Sequence, residues 1–174
     1  MSLLDKVVAA VTPPESEKAR VKARAKAHGV AERGSWFALA LEHHDLLRAA
    51  FRQTRNAEDA QARTSLLRQL AVLLLGHAQA EESVLYPALA AADEKAHAEI
   101  GYNEQALVKM QMTLLETLPP MSQEFMDKLD HIEGAVLHHM YDEEGTWFPE
   151  LQEKGEAQVT LTRRFKEEFE RYVG

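Results

Sequence analysis

His77 and Glu81 lie four residues apart, as do His139 and Glu143, and each pair sits inside the same longer pattern of His, three residues, Glu-Glu, three residues, an aromatic and Pro. The first copy reads His77, Glu81-Glu82, Tyr86-Pro87 and the second His139, Glu143-Glu144, Phe148-Pro149, every position displaced by 62 residues. The chain therefore carries an internal duplication. Residues four apart stack one turn from each other on a helix face, so each copy presents an imidazole beside a carboxylate. Two such pairs converging from two helices offer the nitrogen and oxygen donors that hard-to-borderline divalent or trivalent metals favour, and helix bundles build such sites from inward side chains. A glutamate on a buried face is costly unless it is paired or metal-bound. No Lys or Arg falls at helical spacing on the inward faces near Glu81 or Glu143. A metal is the expected counter-charge.

The elements that must position these side chains are helices. Apolar residues recur at helical spacing, strand-like alternation is scarce, and most of the 8 Gly and 6 Pro stand where turns are wanted. Thr12-Pro13-Pro14 opens a charged, Ala-rich surface helix ending near His28-Gly29. A first core helix is predicted over about Ser35 to Arg55, capped by Ser35, with Trp36, Leu39, Leu46, Leu47, Ala50 and Phe51 inward. A second runs from about Asp59 to Tyr86, with Leu66, Leu70, Leu73, Leu74, His77, Glu81 and Leu85 on one face and Pro87 at its end. The third spans Asp93 to the residue before Pro119-Pro120, with Ile100, Leu107, Leu114 and Leu118 as its apolar stripe; the fourth runs from Ser122 to about Trp147, aligning Leu129, Ile132, Val136, His139 and Glu143. Long helices with short connections imply an antiparallel up-down-up-down four-helix bundle. The predicted organisation is an N-terminal helical extension (1–34), the bundle (35–151) and a C-terminal amphipathic helix (152–174) that caps the bundle or pairs with another subunit.

Composition excludes several functions. The 174 residues suffice for one ordinary domain with a real core. Twenty basic against 28 acidic residues give a formal charge of −8, which disfavours nucleic acid and anionic membranes as partners. Cysteine is absent, so thiolate ligands, disulfides and cysteine nucleophiles are ruled out, and any metal must be held by nitrogen and oxygen. No run approaches the length of a membrane span and the N-terminus lacks a cleavage-like site, so a soluble, cytoplasmic protein is expected. No nucleophile–base set or phosphate-binding glycine loop competes with the metal reading.

Over residues 35 to 151 the arrangement resembles the hemerythrin-like, or HHE cation-binding, family. In that family four antiparallel helices hold a non-haem di-iron centre, through histidine on the first helix, His-x-x-x-Glu on the second, histidine on the third and His-x-x-x-Glu on the fourth. By that match His77, Glu81, His139 and Glu143 are implied ligands. Leu41-Glu42-His43-His44-Asp45-Leu46-Leu47 resembles the leading histidine motif. His44 places Leu47 and Phe51 three and seven residues on, whereas His43 lies nearer the centre of the apolar stripe. Both are candidates, and only one is expected to touch the metal. Two iron ions are the implied cofactor; manganese and zinc also suit the donors.

The third helix departs from the family pattern, reading Asn103-Glu104-Gln105-Ala106-Leu107 where a histidine is implied. Glu104 shares the side of Ile100, Leu107 and Leu114, while Gln105 is rotated about 100° from it, so Glu104 is the expected replacement ligand. Its alternative is a partner for a Lys or Arg at the bundle edge. Gln105, Gln111, Glu82, Glu144 and His138 are expected around the site, Glu82 and Glu144 turned toward solvent or behind the ligands and His138 over the mouth. His97 ranks behind Glu104. With Glu104 as a ligand, carboxylates would equal histidines in number and favour oxidised iron or manganese over reversible dioxygen carriage. Three readings follow: a module binding or sensing dioxygen, nitric oxide or iron status; a di-iron enzyme handling oxygen, peroxide or nitric oxide; and a structural bundle with a degenerate site. Self-association through the terminal helices is a further expectation.

Overall fold

The computed structural model describes residues 15–154 and 157–174, so the expected Thr12-Pro13-Pro14 opening lies outside the described residues. All regular structure among them is helical. In chain order α1 is Glu17–Val30, α2 Trp36–Arg55, α3 Ala60–Ala80, α4 Tyr86–Ala91, α5 Lys95–Leu115, α6 Gln123–Asp142, α7 Phe148–Lys154 and α8 Gln158–Val173. The long helices start where the chain supplies caps. Ser35, Asp59 and Ser122 accept hydrogen bonds from the backbone of Ala38, Ala62 and Phe125, satisfying amides that have no partner inside the helix.

Two apolar clusters divide the core lengthwise. One gathers Phe37 and Leu41 from α2, Leu85 and Leu89 near the α3–α4 junction, Ala98 from α5, and Trp147 and Phe148 after α6. The other holds Leu47 and Phe51, Leu70 and Leu74, Val108 and Leu115, Phe125 and Ile132. The start of α2, the end of α3, the start of α5 and the end of α6 thus share one end, which is the expected antiparallel up-down-up-down order. Between the clusters lies a polar layer in which His44, Glu81 and Glu143 are fully buried.

Neither copy of the duplicated pattern is a regular helix throughout. Glu81–Leu85 and Glu143–Trp147 are π-helical turns, closed by the amides of Tyr86 and Phe148 on the carbonyls of Glu81 and Glu143. Pro87 and Pro149 follow at once; a proline has no N–H for the regular ladder, and the wider turn accommodates the break. The consequence is positional. Five residues along a regular helix lie about 140° apart around the axis, whereas a turn closed over five residues stacks the fifth nearly above the first. Tyr86 therefore joins Glu81 inside, and Phe148 joins Glu143.

The C-terminal helix α8 packs on α3 and α2. Gly76 permits the approach, since a Cβ there would stand 3.0 Å from Val173 Cγ1 and 3.2 Å from Tyr172 Cβ. Thr162 Oγ1 also accepts a hydrogen bond from the Trp36 amide at 2.9 Å, tying α8 to the start of α2. At the opposite end Arg63, nearly buried, donates to the carbonyls of Thr54, Arg55, Ala57 and Pro120 and so pins two connections together.

Two expected faces differ from those observed. Leu46 is 52% exposed, and α2 turns Leu41 and His44 inward beside the expected Leu47 and Phe51. On α5 the inward stripe is Ala98, Gly101, Gln105, Val108, Met112 and Leu115, while Ile100, Leu107 and Leu114 are exposed. The exposed large aliphatic residues dominate the periodic signal, while the buried side opens with the small residues Ala98 and Gly101, the latter facing the Tyr86 ring, and carries Gln105 at the polar layer.

Candidate metal centre

His44 on α2, His77 on α3 and the glutamates opening the two π turns meet at one point. His44 Nε2 stands 3.3 Å from Glu143 Oε2 and 3.9 Å from Glu81 Oε1, and His77 Nε2 stands 3.2 Å from Glu81 Oε1. One donor atom from each of these four buried residues lies within 4.8 Å of all the others. His44 Nε2, His77 Nε2, Glu81 Oε1 and Glu143 Oε2 are all buried without a hydrogen-bond partner. Buried polar atoms are normally satisfied, and four orphans aimed at one spot are satisfied together by a cation. The residues present therefore fit a metal ion.

The remaining carboxylate oxygens face the other way. Glu143 Oε1 lies 3.1 Å and Glu81 Oε2 3.9 Å from His139 Nε2. Each glutamate thus divides its two oxygens between a His44/His77 half and a His139 half. Tyr86 enters the second half, its hydroxyl 3.0 Å from His139 Nε2, 3.1 Å from Glu143 Oε1 and 3.4 Å from Glu81 Oε2. Gln105 Nε2 donates to Glu81 Oε2 at 2.5 Å and to the Tyr86 hydroxyl at 2.7 Å.

Behind two of the three inward-facing histidines stand carboxylates. Glu144 Oε1 accepts from His44 Nδ1 at 2.8 Å and is itself held by Arg48 Nη2 at 2.7 Å. Glu104 Oε2 accepts from His139 Nδ1 at 2.8 Å. A carboxylate on the outer nitrogen fixes the ring's orientation and leaves Nε2 as the donor toward the centre. The two α5 candidates consequently stand opposite to expectation: Glu104 lies behind His139, and Gln105 reaches the centre.

The other candidates are dispersed. His43 turns from the centre and stacks on Phe169 of α8, with ring centroids 3.6 Å apart. Burial, with help from the neighbouring His44, pushes its imidazole down to about 3. Glu144, expected toward solvent or behind the ligands, is buried against His44. Glu82 pairs with Lys109 at 2.6 Å, Gln111 accepts from Lys128 at 2.8 Å on the α5–α6 edge, and His138 meets Glu15 at 2.6 Å. The lysine and arginine nearest the centre thus serve Glu82 and Glu144 rather than Glu81 or Glu143. Tyr86 and Arg48 escaped the sequence reading. The signal for Tyr86 was the one side chain in which the two copies differ chemically at their aromatic position.

Electrostatics shows what the cluster does without a cation. Burial alone would lower His44, but the surrounding carboxylates of Glu143, Glu144 and Glu81 carry it well above its ordinary value. His139 rises in the same way, burial being outweighed by the charge of Glu143 and the bond to Glu104. His77, without an outer carboxylate, is held well down by burial and by His44 and His43. Burial and the charge of Glu143 raise Glu81, and burial with both glutamates raises the Tyr86 hydroxyl. Glu143 is also opposed by burial but is lowered by His139 and His44. Protons on His44 and His139 thus occupy the electrostatic role that a metal would take over.

Residues 37–151 match the family model described as the hemerythrin HHE cation binding domain. The chain is also similar to a protein of Nostoc sp. (strain PCC 7120 / SAG 25.82 / UTEX 2576) named DNA nickase, with 26% identity over 117 residues, covering 67% of this chain and 33% of that protein. The chain thus spans about a third of the length of that curated relative. No solved structure matches it.

Proposed function

The chain belongs to the hemerythrin HHE cation-binding domain family, and from that premise we propose that it is a non-haem iron-binding protein whose centre takes up dioxygen or nitric oxide. One observation carries the metal part of this reading: four buried donor atoms without hydrogen-bond partners, from His44, His77, Glu81 and Glu143, converge within 4.8 Å. These residues would hold one ion; His139, with the second oxygens of Glu81 and Glu143, would hold another. When bound, such a metal pair supplies redox chemistry and coordination positions for a small molecule. The protein's own contribution is to orient the imidazoles through Glu144 and Glu104, to exclude bulk water with two apolar clusters, and to set the charge. A cavity of about 20 Å³, lined by Leu47, Leu74, Val108, Val136 and Met140, touches His77, Gln105 and His139. It is large enough for one water-sized guest. A diatomic molecule fits that chemistry.

The test is metal analysis followed by ligand uptake. Protein from iron-replete cells should carry about one to two iron ions per chain on this donor set, and the reduced protein should bind nitric oxide or dioxygen stoichiometrically and then stop. A chain that takes up no iron under anaerobic reconstitution would remove the proposal. Sustained consumption of oxygen or peroxide without metal loss would move it to the enzyme class. DNA nicking, the activity in the relative's name, is not carried over, because a formal charge of −8 opposes a polyanionic substrate.

A further inference from the structure

We infer that Tyr86 is a metal ligand, its phenolate oxygen completing the His139 half of the centre. This inference rests on the metal reading above. Donors bound to one ion at about 2.0–2.2 Å stand about 2.8–3.6 Å from each other when separated by the angles of octahedral or tetrahedral coordination. In the His44/His77 half the separations are 3.2 Å for His77 Nε2 to Glu81 Oε1 and 3.3 Å for His44 Nε2 to Glu143 Oε2. In the other half the Tyr86 oxygen stands 3.0, 3.1 and 3.4 Å from His139 Nε2, Glu143 Oε1 and Glu81 Oε2, and the first two of these lie 3.1 Å from each other. The hydroxyl is spaced as a fellow donor in the second set.

Three further features give the oxygen this role rather than that of a packing group. The duplicate position holds Phe148, fully buried and stacked beside His44 with ring centroids 6.1 Å apart, so an aromatic without oxygen satisfies the packing of this fold. Helix α5 yields its surface to the Tyr86 ring: a Cβ at Gly101 would stand 2.7 Å from Tyr86 Cζ. Gln105 Nε2 then donates to the same oxygen at 2.7 Å, a contact that orients it and supports negative charge. Tyr86 thus supplies the donor that α5 does not. On coordination the phenol O–H bond breaks, its electron pair becomes the donor pair to the metal, and the proton leaves to solvent; no oxidation state changes. A phenolate is a hard anionic donor and favours ferric over ferrous iron.

The experiment loads wild-type protein and Tyr86→Phe with ferrous iron anaerobically, oxidises both, and records iron content, visible absorption and resonance Raman spectra. Wild type should show a visible phenolate-to-iron band with tyrosine ring modes in resonance. Tyr86→Phe should lose both and lose iron preferentially from one of two positions, with helix content unchanged by circular dichroism. Identical iron content and spectra in the two proteins would overturn the ligand role while leaving the metal centre standing. Failure of the wild-type protein to take up iron would instead overturn the metal reading and this inference with it. If Tyr86→Phe does not fold, the wild-type resonance Raman spectrum decides alone: ring modes support the assignment, and their absence from the iron-loaded protein rejects it.

Discussion

At His44 the outer nitrogen meets Glu144, a carboxylate only 1% exposed and braced by Arg48; at His139 it meets Glu104, whose side chain is 28% exposed. The first half of the centre gathers two histidines, from α2 and α3, beneath Phe148. The second has one histidine, with Gln105 and Tyr86 filling the space beside it. Two copies of one sequence pattern therefore build unequal halves. Each copy contributes a histidine and a shared glutamate, but the companions come from α2 on one side and from α5 and the start of α4 on the other. Those companions are what distinguishes the two halves as prospective metal sites. The His44/His77 half should bind first and hold tighter.

The largest expected effect strikes both halves at once. Glu81→Leu combined with Glu143→Leu removes the oxygens they share and should abolish metal binding, measured by elemental analysis, while circular dichroism still reports a helical bundle because both apolar clusters remain. Retention of one ion per chain in the double variant would show that the halves do not share these carboxylates.

Chelation should follow in size. Removing the metal should lower Tm with little loss of helix, and the gap between loaded and chelated protein should widen as pH rises. His44, His139 and Glu81 all have raised folded values. The stability each contributes to the metal-free fold is present below its unfolded value, about 6.5 for histidine and about 4.3 for glutamate, and is lost as pH rises through the folded one. The metal also competes better when those protons are gone. Melting curves between about pH 6 and 9, a window spanning the histidine range, give the test; a gap that is constant or shrinks with pH contradicts the proton-for-metal exchange.

A sharper probe compares the outer carboxylates. Glu144→Gln and Glu104→Gln should each weaken metal binding by about 10–100-fold, as loss of a partner behind a ligand does, with Glu144→Gln the larger because that carboxylate is buried and held by arginine. Equal effects would erase the asymmetry between the halves.

The smallest effects concern the two faces of α5. Leu115→Ala should cost about 2–5 kcal/mol in chemical denaturation, whereas Leu107→Gln on the outer face should stay within about 0.5 kcal/mol. Reversal would mean that the outer stripe, not the Gln105 stripe, faces the bundle.

Read alone, the sequence determined the helical class, the order of the four long helices and the pairing of His77 with Glu81 and His139 with Glu143. These follow from local periodicity, capping residues and a duplicated spacing, all carried by neighbours along the chain. What it left undecided depended on rotation about a helix axis and on atoms from distant segments. The choice between His43 and His44 hinges on which ring α8 covers, and α8 lies more than a hundred residues away. Glu104 and Gln105 are adjacent, so a rotation of about 100° exchanges their roles, and the aliphatic residues of the outer stripe gave the misleading phase. Tyr86 and Phe148 look alike as helix-ending aromatics. The sequence states that only Tyr86 carries an oxygen; the tertiary structure, by stacking each aromatic over its glutamate through a π turn and opening α5 at Gly101, decided that this oxygen enters the centre.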